Sequence, residues 1–298
     1  MKCQMYRLIP ASFLLCLSFA SCMKKDSLPS SSQTTTQSLL MRATNDIFNA
    51  GNQQSQELAD VIGSNGMVSG DSSDCRVVSY APSRDVYPYV KTVDFGSGCT
   101  SADGVTRSGK KLITVYGDWR TAAAGTLISE ATFSDFYIDS IHVEGNVKTY
   151  VDTAAVPGPV ALKVITTKTL TSPNGDVTTF TATNYWLQTQ GSDTPTGADD
   201  VFQVTGSATG NEVLDGVTSV IWSYNTDPAH PVIKDGDCEF RTQGALQIQI
   251  QIQTGGMSNF TEYLDYGNGA CDNLATLSIN GGEPQQVSLP LFFWPLTL

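Results

Sequence analysis

The sequence predicts an all-β chain, an antiparallel β-sandwich or wrapped meander sheet with one N-terminal helical segment. Three observations carry that prediction. Beyond Cys75, apolar and polar residues alternate, most plainly in Leu246-Gln-Ile-Gln-Ile-Gln-Ile-Gln253, whose aliphatic and glutamine side chains must leave a strand on opposite faces. Turn residues at Asp103-Gly104, Ser108-Gly109, Asp215-Gly216, Asp235-Gly236 and Asn280-Gly281-Gly282 recur at the spacing of antiparallel hairpins. Strands do not alternate with helix-length segments, so parallel βαβ units are not expected. A chain of 298 residues holds one large β domain or two smaller ones.

The first element is residues 1–21. Lys2 and Arg7 precede an apolar run from Leu8 to Ala20, too short to span a bilayer, and small residues stand just before Cys22. This is a signal peptide, and its end resembles a bacterial lipoprotein signal, which implies that Cys22 becomes the palmitate-bearing N-terminus. Met23 after that cysteine implies the outer membrane, and Lys24-Lys25-Asp26 resembles the charged tag that exports lipoproteins to the cell surface. Residues 22–37, rich in Ser and Thr, read as a disordered tether. Residues 38–63 carry Leu39, Leu40, Ala43, Ile47, Phe48, Leu58, Val61 and Ile62 at near-helical spacing, broken at Gly51 and stopped by Gly63. Their apolar face is expected to pack on the β domain, residues 75–298.

The β domain contains a duplicated device. Tyr89-Val-Lys-Thr-Val-Asp-Phe-Gly-Ser-Gly-Cys99 returns as Phe260-Thr-Glu-Tyr-Leu-Asp-Tyr-Gly-Asn-Gly-Ala-Cys271. Asp94 and Asp265 are expected to bond the turn backbone, and Gly96, Gly98, Gly267 and Gly269 to supply positive-φ positions that bend the chain towards its cysteine. An exported chain is oxidised, and Cys75, Cys99, Cys238 and Cys271 remain as an even set. One member of each expected pair precedes each copy of the device, so the pairs are Cys75–Cys99 and Cys238–Cys271, worth about 3.5 and 3.8 kcal/mol by loop entropy. Between the copies, Val160, Leu162 and Val164 should form a hairpin with Thr178–Thr183 through Ser172-Pro-Asn-Gly-Asp176. Residues 190–200 could divide the domain into two pseudo-repeated halves, and the apolar tail after Leu289 should close the sheet as an edge strand.

Function is constrained mostly by exclusion. The chain has 17 basic and 29 acidic residues, so nucleic-acid binding is not expected. Its two histidines, His142 and His230, have no sequence neighbour to orient them, no Gly-x-Ser-x-Gly elbow exists, and no metal or cofactor motif is present. Trp119, Tyr185, Trp186 and Trp222, with Trp294, would form a stacking platform for sugars if exposed, although most tryptophans in such sheets are core residues. The leader with KTVDFGSGCTSADGVTRSGK and YLDYGNGACDNLATLSINGG resembles a group of uncharacterised Bacteroidetes-type lipoproteins. That resemblance implies place and fold rather than activity. The expectation is a lipid-anchored, non-catalytic envelope module for glycan or a partner protein. The alternatives are a carbohydrate hydrolase with two converging carboxylates, and a lipid or lipoprotein carrier with an apolar cavity.

Overall fold

The computed structural model describes residues 36–45, 47, 75–84, 86–101, 104–153, 161–194, 199–236, 238 and 240–289. Cys22, the leader, most of the tether, residues 48–63, Trp294 and the tail lie outside them. The period-two segments pair into one sheet of 15 strands, every pairing antiparallel. The first half contains β1 (Val77–Ala81), β2 (Tyr89–Asp94), β3 (Cys99–Thr100), β4 (Thr106–Val115), β5 (Leu127–Ile138), β6 (Ile141–Thr153) and β7 (Ala161–Thr171). The second contains β8 (Val177–Gln190), β9 (Val201–Leu214), β10 (Thr218–Thr226), β11 (Val232–Asp235), β12 (Arg241–Gln253), β13 (Met257–Asn268), β14 (Leu274–Ile279) and β15 (Gln285–Ser288). Strands adjacent in sequence are adjacent in the sheet, except that β3 lies beside β4 and β11 bridges β9 and β12.

Of the two expected architectures the wrapped meander is the one formed, and burial explains it. Along β8, Thr178, Phe180, Ala182, Asn184, Trp186 and Gln188 are buried and the residues between them are not. The same parity runs from β2 to β14, and the inward apolar side chains form a single cluster. One sheet can bury one face over such a width only by curling onto itself. Against that face lies helix α1, residues 36–45 continuing at Ile47, starting two residues earlier than its periodicity suggests. Leu39, Leu40, Ala43 and Ile47 are buried. Arg42 lies 3.0 Å from Asp176 in the β7–β8 turn and 2.5 Å from Glu212 of β9, while the Thr44 hydroxyl reaches Glu262 of β13. The helix therefore ties strands that are well separated in sheet order.

Both disulfides form as the repeat implies, with Cα separations of 5.5 Å for Cys75–Cys99 and 5.6 Å for Cys238–Cys271. Gly96, Gly267 and Gly269 have positive φ; Gly98 does not, so the two bends differ. One turn reading resolves differently from expectation. Ser108-Gly109 sits inside β4 as a bulge, because a glycine at φ +77° serves a bulge as well as a turn. Residues 190–200 join β8 to β9, which pair directly at Gln190 and Val201, so the sheet runs through this point without a break.

Candidate functional site

The outer surface of the sheet is divided by charge. Over β2–β6 it carries ion pairs, Lys110 to Asp94 at 2.8 Å and Lys148 to Glu130 at 3.4 Å, and the His142 imidazole lies 3.9 Å from the Glu144 carboxylate. From β7 to β13 the register aligns three outward rows. One runs Thr167, Thr181, Thr209, Ser223, Gln249, Thr261. Beside it runs Thr169, Thr179, Asn211, Ile221, Gln251, Asn259, and on the other side Ile165, Thr183, Ser207, Asn225, Gln247, Tyr263. No member is charged. The charged residues within these strand stretches, Lys168 and Glu262, point inward, as does Glu212 just past Asn211, and they are 2%, 1% and 0% exposed; beyond the rows Lys163 faces outward beside Tyr185. By ordinary strand spacing the rows span about 24 Å across the strands and about 14 Å along them.

The tryptophans do not form a platform on this surface. Trp119, Trp186 and Trp222 are buried, Trp222 lying so tightly on Gly210 that a Cβ there would come 2.2 Å from its ring. Trp186 packs edge-on to Phe202 at 6.0 Å. Their parity explains this: Trp186 shares the inward set with Phe180 and Ala182. Of the four candidates only Tyr185 is exposed, with the Lys163 ammonium 5.8 Å from its ring. The device aspartates have the backbone role expected of them. Asp94 accepts from Gly96 N–H at 2.9 Å and Asp265 from Gly267 N–H at 2.8 Å. The Lys110 hydrogen bond, then the Gly96 amide, hold the Asp94 carboxyl below its ordinary pKa. Among the described residues no three His, Cys, Asp or Glu side chains converge as a metal site.

His230, without an orienting neighbour in the sequence reading, has one in the fold. Asp227 Oδ2 accepts from His230 Nδ1 at 3.0 Å and from the Tyr263 hydroxyl at 2.8 Å, and Oδ1 accepts from Ala229 N–H at 3.0 Å. The spacing Asp-x-x-His in a loop was the available signal. These donors, His230 first, hold the Asp227 pKa low; burial and the neighbouring carboxylate push Tyr263 up to about 12, so its hydroxyl stays a donor. The arrangement fixes the Nδ1–H tautomer and leaves Nε2 of an exposed imidazole to accept or relay a proton. Among the described residues no serine, threonine or cysteine side chain bonds to it.

A half-open pocket of about 130 Å³ lies between α1 and β13–β15, lined by Leu40, Leu264, Leu277 and Leu289 with exposed Met41 and Ile279 at its mouth. Glu262 borders it, and burial raises its pKa from 4.5 to about 7. The Thr44 hydroxyl lies 2.9 Å from the Leu40 carbonyl and 2.8 Å from Glu262 Oε2. One hydroxyl proton cannot serve both acceptors, so the bonds are complete when Glu262 is protonated and donates to Thr44. Family models, curated protein sequences and solved structures were each compared with the chain, and none matches.

Proposed function

We propose that this chain is an envelope protein, lipid-anchored through Cys22, that holds neutral glycan on the outer face of β7–β13 without transforming it. The observation that carries the reading is the three uncharged rows, set against inward-pointing Lys168, Glu212 and Glu262. A surface that served only solubility would present its charges to water. A hydroxyl or amide exchanges water for a sugar hydroxyl at little cost, whereas a charged group loses solvation. Protein interfaces favour aromatic residues, Met and Arg and are depleted in Ser, so the composition of this face suits a polyhydroxylated ligand better. The net charge of −12 disfavours anionic polysaccharides.

The test is co-sedimentation of the mature chain with insoluble neutral polysaccharides, and an array of soluble ones. Binding that is insensitive to salt between about 0.05 and 0.5 M is expected. The pair Thr181→Lys and Ser223→Lys, both outward, should weaken it by about tenfold or more without lowering Tm. Silence across neutral glycans, or indifference to the lysines, would overturn the proposal.

A further inference from the structure

At the corner of this surface the chain builds a second feature that three uncharged rows do not require. Ser108 of β4, Tyr137 of β5, His142 of β6 and Thr171 of β7 stand directly opposite one another on four adjacent strands. Tyr137 is 37% exposed, and its ring centroid lies 4.8 Å from that of the His142 imidazole. They line an open groove of about 950 Å³ whose rim includes Ser97 and Gly98, the bend of the first device, which the Cys75–Cys99 disulfide secures.

The backbone is distorted to place that tyrosine. Pairing of β4 with β5 slips between Ser108 and Lys110, and pairing of β5 with β6 slips between Thr132 and Phe136. Gly109, at φ +77°, faces Asp135, at φ +45°; a Cβ on Gly109 would stand 1.9 Å from the Asp135 carbonyl oxygen. The β5–β6 hairpin turns through Asp139 and Ser140, at φ +46° and +72°, and Asp139 Oδ1 accepts from Thr106 N–H at 2.9 Å. Two of the five non-glycine residues with positive φ among those described, Asp139 and Ser140, line this groove, and a third, Asp135, lies two residues before Tyr137. Bulges of this kind re-aim side chains, and strained backbone gathers where a ligand is held.

We infer that the groove is the subsite for one sugar ring, which stacks its C–H face on Tyr137 and bonds its hydroxyls to His142 and Ser108. The inference rests on the glycan reading above and adds a position at which one ring is recognised. Thr171 pairs with Val177 of β8, and Val177 with Val213 of β9, so the row that holds these four residues runs on across β8 and β9 beside the neutral rows. Asp139 on the rim and Glu144, 3.9 Å from His142, make the site unsuited to a uronic acid, so the ring is a neutral pyranose. An aromatic face with a few placed polar groups is the usual composition of such a pocket.

Calorimetry of the mature chain with maltose, cellobiose and their longer oligomers tests this. Disaccharide binding should fall by about tenfold or more in Tyr137→Ala and in His142→Ala, and persist in Tyr137→Phe, which keeps the ring. Thr181→Lys should weaken only the longer oligomers. Oligomer binding that Thr181→Lys abolishes and Tyr137→Ala leaves intact would overturn the subsite while the neutral face stands. Disaccharide binding lost in Tyr137→Ala, with Thr181→Lys silent at every length, would support the groove and remove the face. No binding of any of these sugars by the unaltered chain would overturn both. Tyr137 is on the surface, so unchanged Tm in each variant is the accompanying control.

Discussion

Replacing Glu262 by glutamine should change how stability depends on pH. The carboxyl is 1% exposed, and burial lifts its pKa from 4.5 to about 7. Between those values the folded chain holds a proton that the unfolded chain has released. Stability therefore falls as pH rises from about 4.5 to about 7, and the loss is complete above the folded value. Two and a half units at about 1.36 kcal/mol each come to about 3 kcal/mol. A glutamine amide in its place could still donate to the Thr44 hydroxyl but would not titrate. Glu262→Gln should match the unaltered chain near pH 4.5 and exceed it by about 3 kcal/mol at pH 8, a Tm difference of about 5–10 °C. Urea unfolding followed by the fluorescence of the buried Trp186 and Trp222 reports this as a shift in midpoint at constant m. Other carboxyls, such as Asp200, which burial pushes above its ordinary pKa, are common to both proteins and cancel in the difference. A difference that stayed constant from pH 4.5 to 8 would refute the claim that Glu262 is protonated in the fold.

Arg42→Met leaves Asp176 and Glu212 without the guanidinium that lies 3.0 and 2.5 Å away, and should cost about 3–5 kcal/mol in urea unfolding. A loss under about 1 kcal/mol would mean that α1 is not held to the sheet by that pair. Gly210→Ala drives a methyl to within 2.2 Å of the Trp222 indole and should cost about 1–3 kcal/mol, visible as a lower Tm and altered tryptophan emission. Reducing both disulfides should lower stability by up to about 7 kcal/mol, the loop-entropy limit. Peptide mapping of the oxidised chain should recover Cys75 joined to Cys99 and Cys238 joined to Cys271.

Much of the fold was legible because its determinants are local. Alternation in Leu246–Gln253 put isoleucines and glutamines on opposite faces, and the strand does so. The repeated Asp-aromatic-Gly-x-Gly bend correctly paired four cysteines among three possibilities. For the tryptophans the core reading, favoured over the stacking platform, is the one the fold adopts, and parity carries it, since Trp186 keeps step with Phe180 and Ala182. Ser108-Gly109 was misread because a positive-φ glycine looks the same in a turn and in a bulge until the partner strand is known.

What the sequence by itself determined is the all-β antiparallel class, the period of its clearest strands and the covalent clasps, all properties of residues close in the chain or duplicated along it. It even held a conflict worth noticing: Glu212 falls in step with Phe202, Val204, Ala208 and Leu214, a charge on the apolar parity. Only the tertiary structure decided what that parity meant. The curl brought α1 against Glu212 and Glu262, left three outward rows of β7–β13 without charge, and aligned Ser108, Tyr137, His142 and Thr171 across four strands. Register and curvature arise from pairings between distant segments and from which face is removed from water, and neither is written in the period of a single strand.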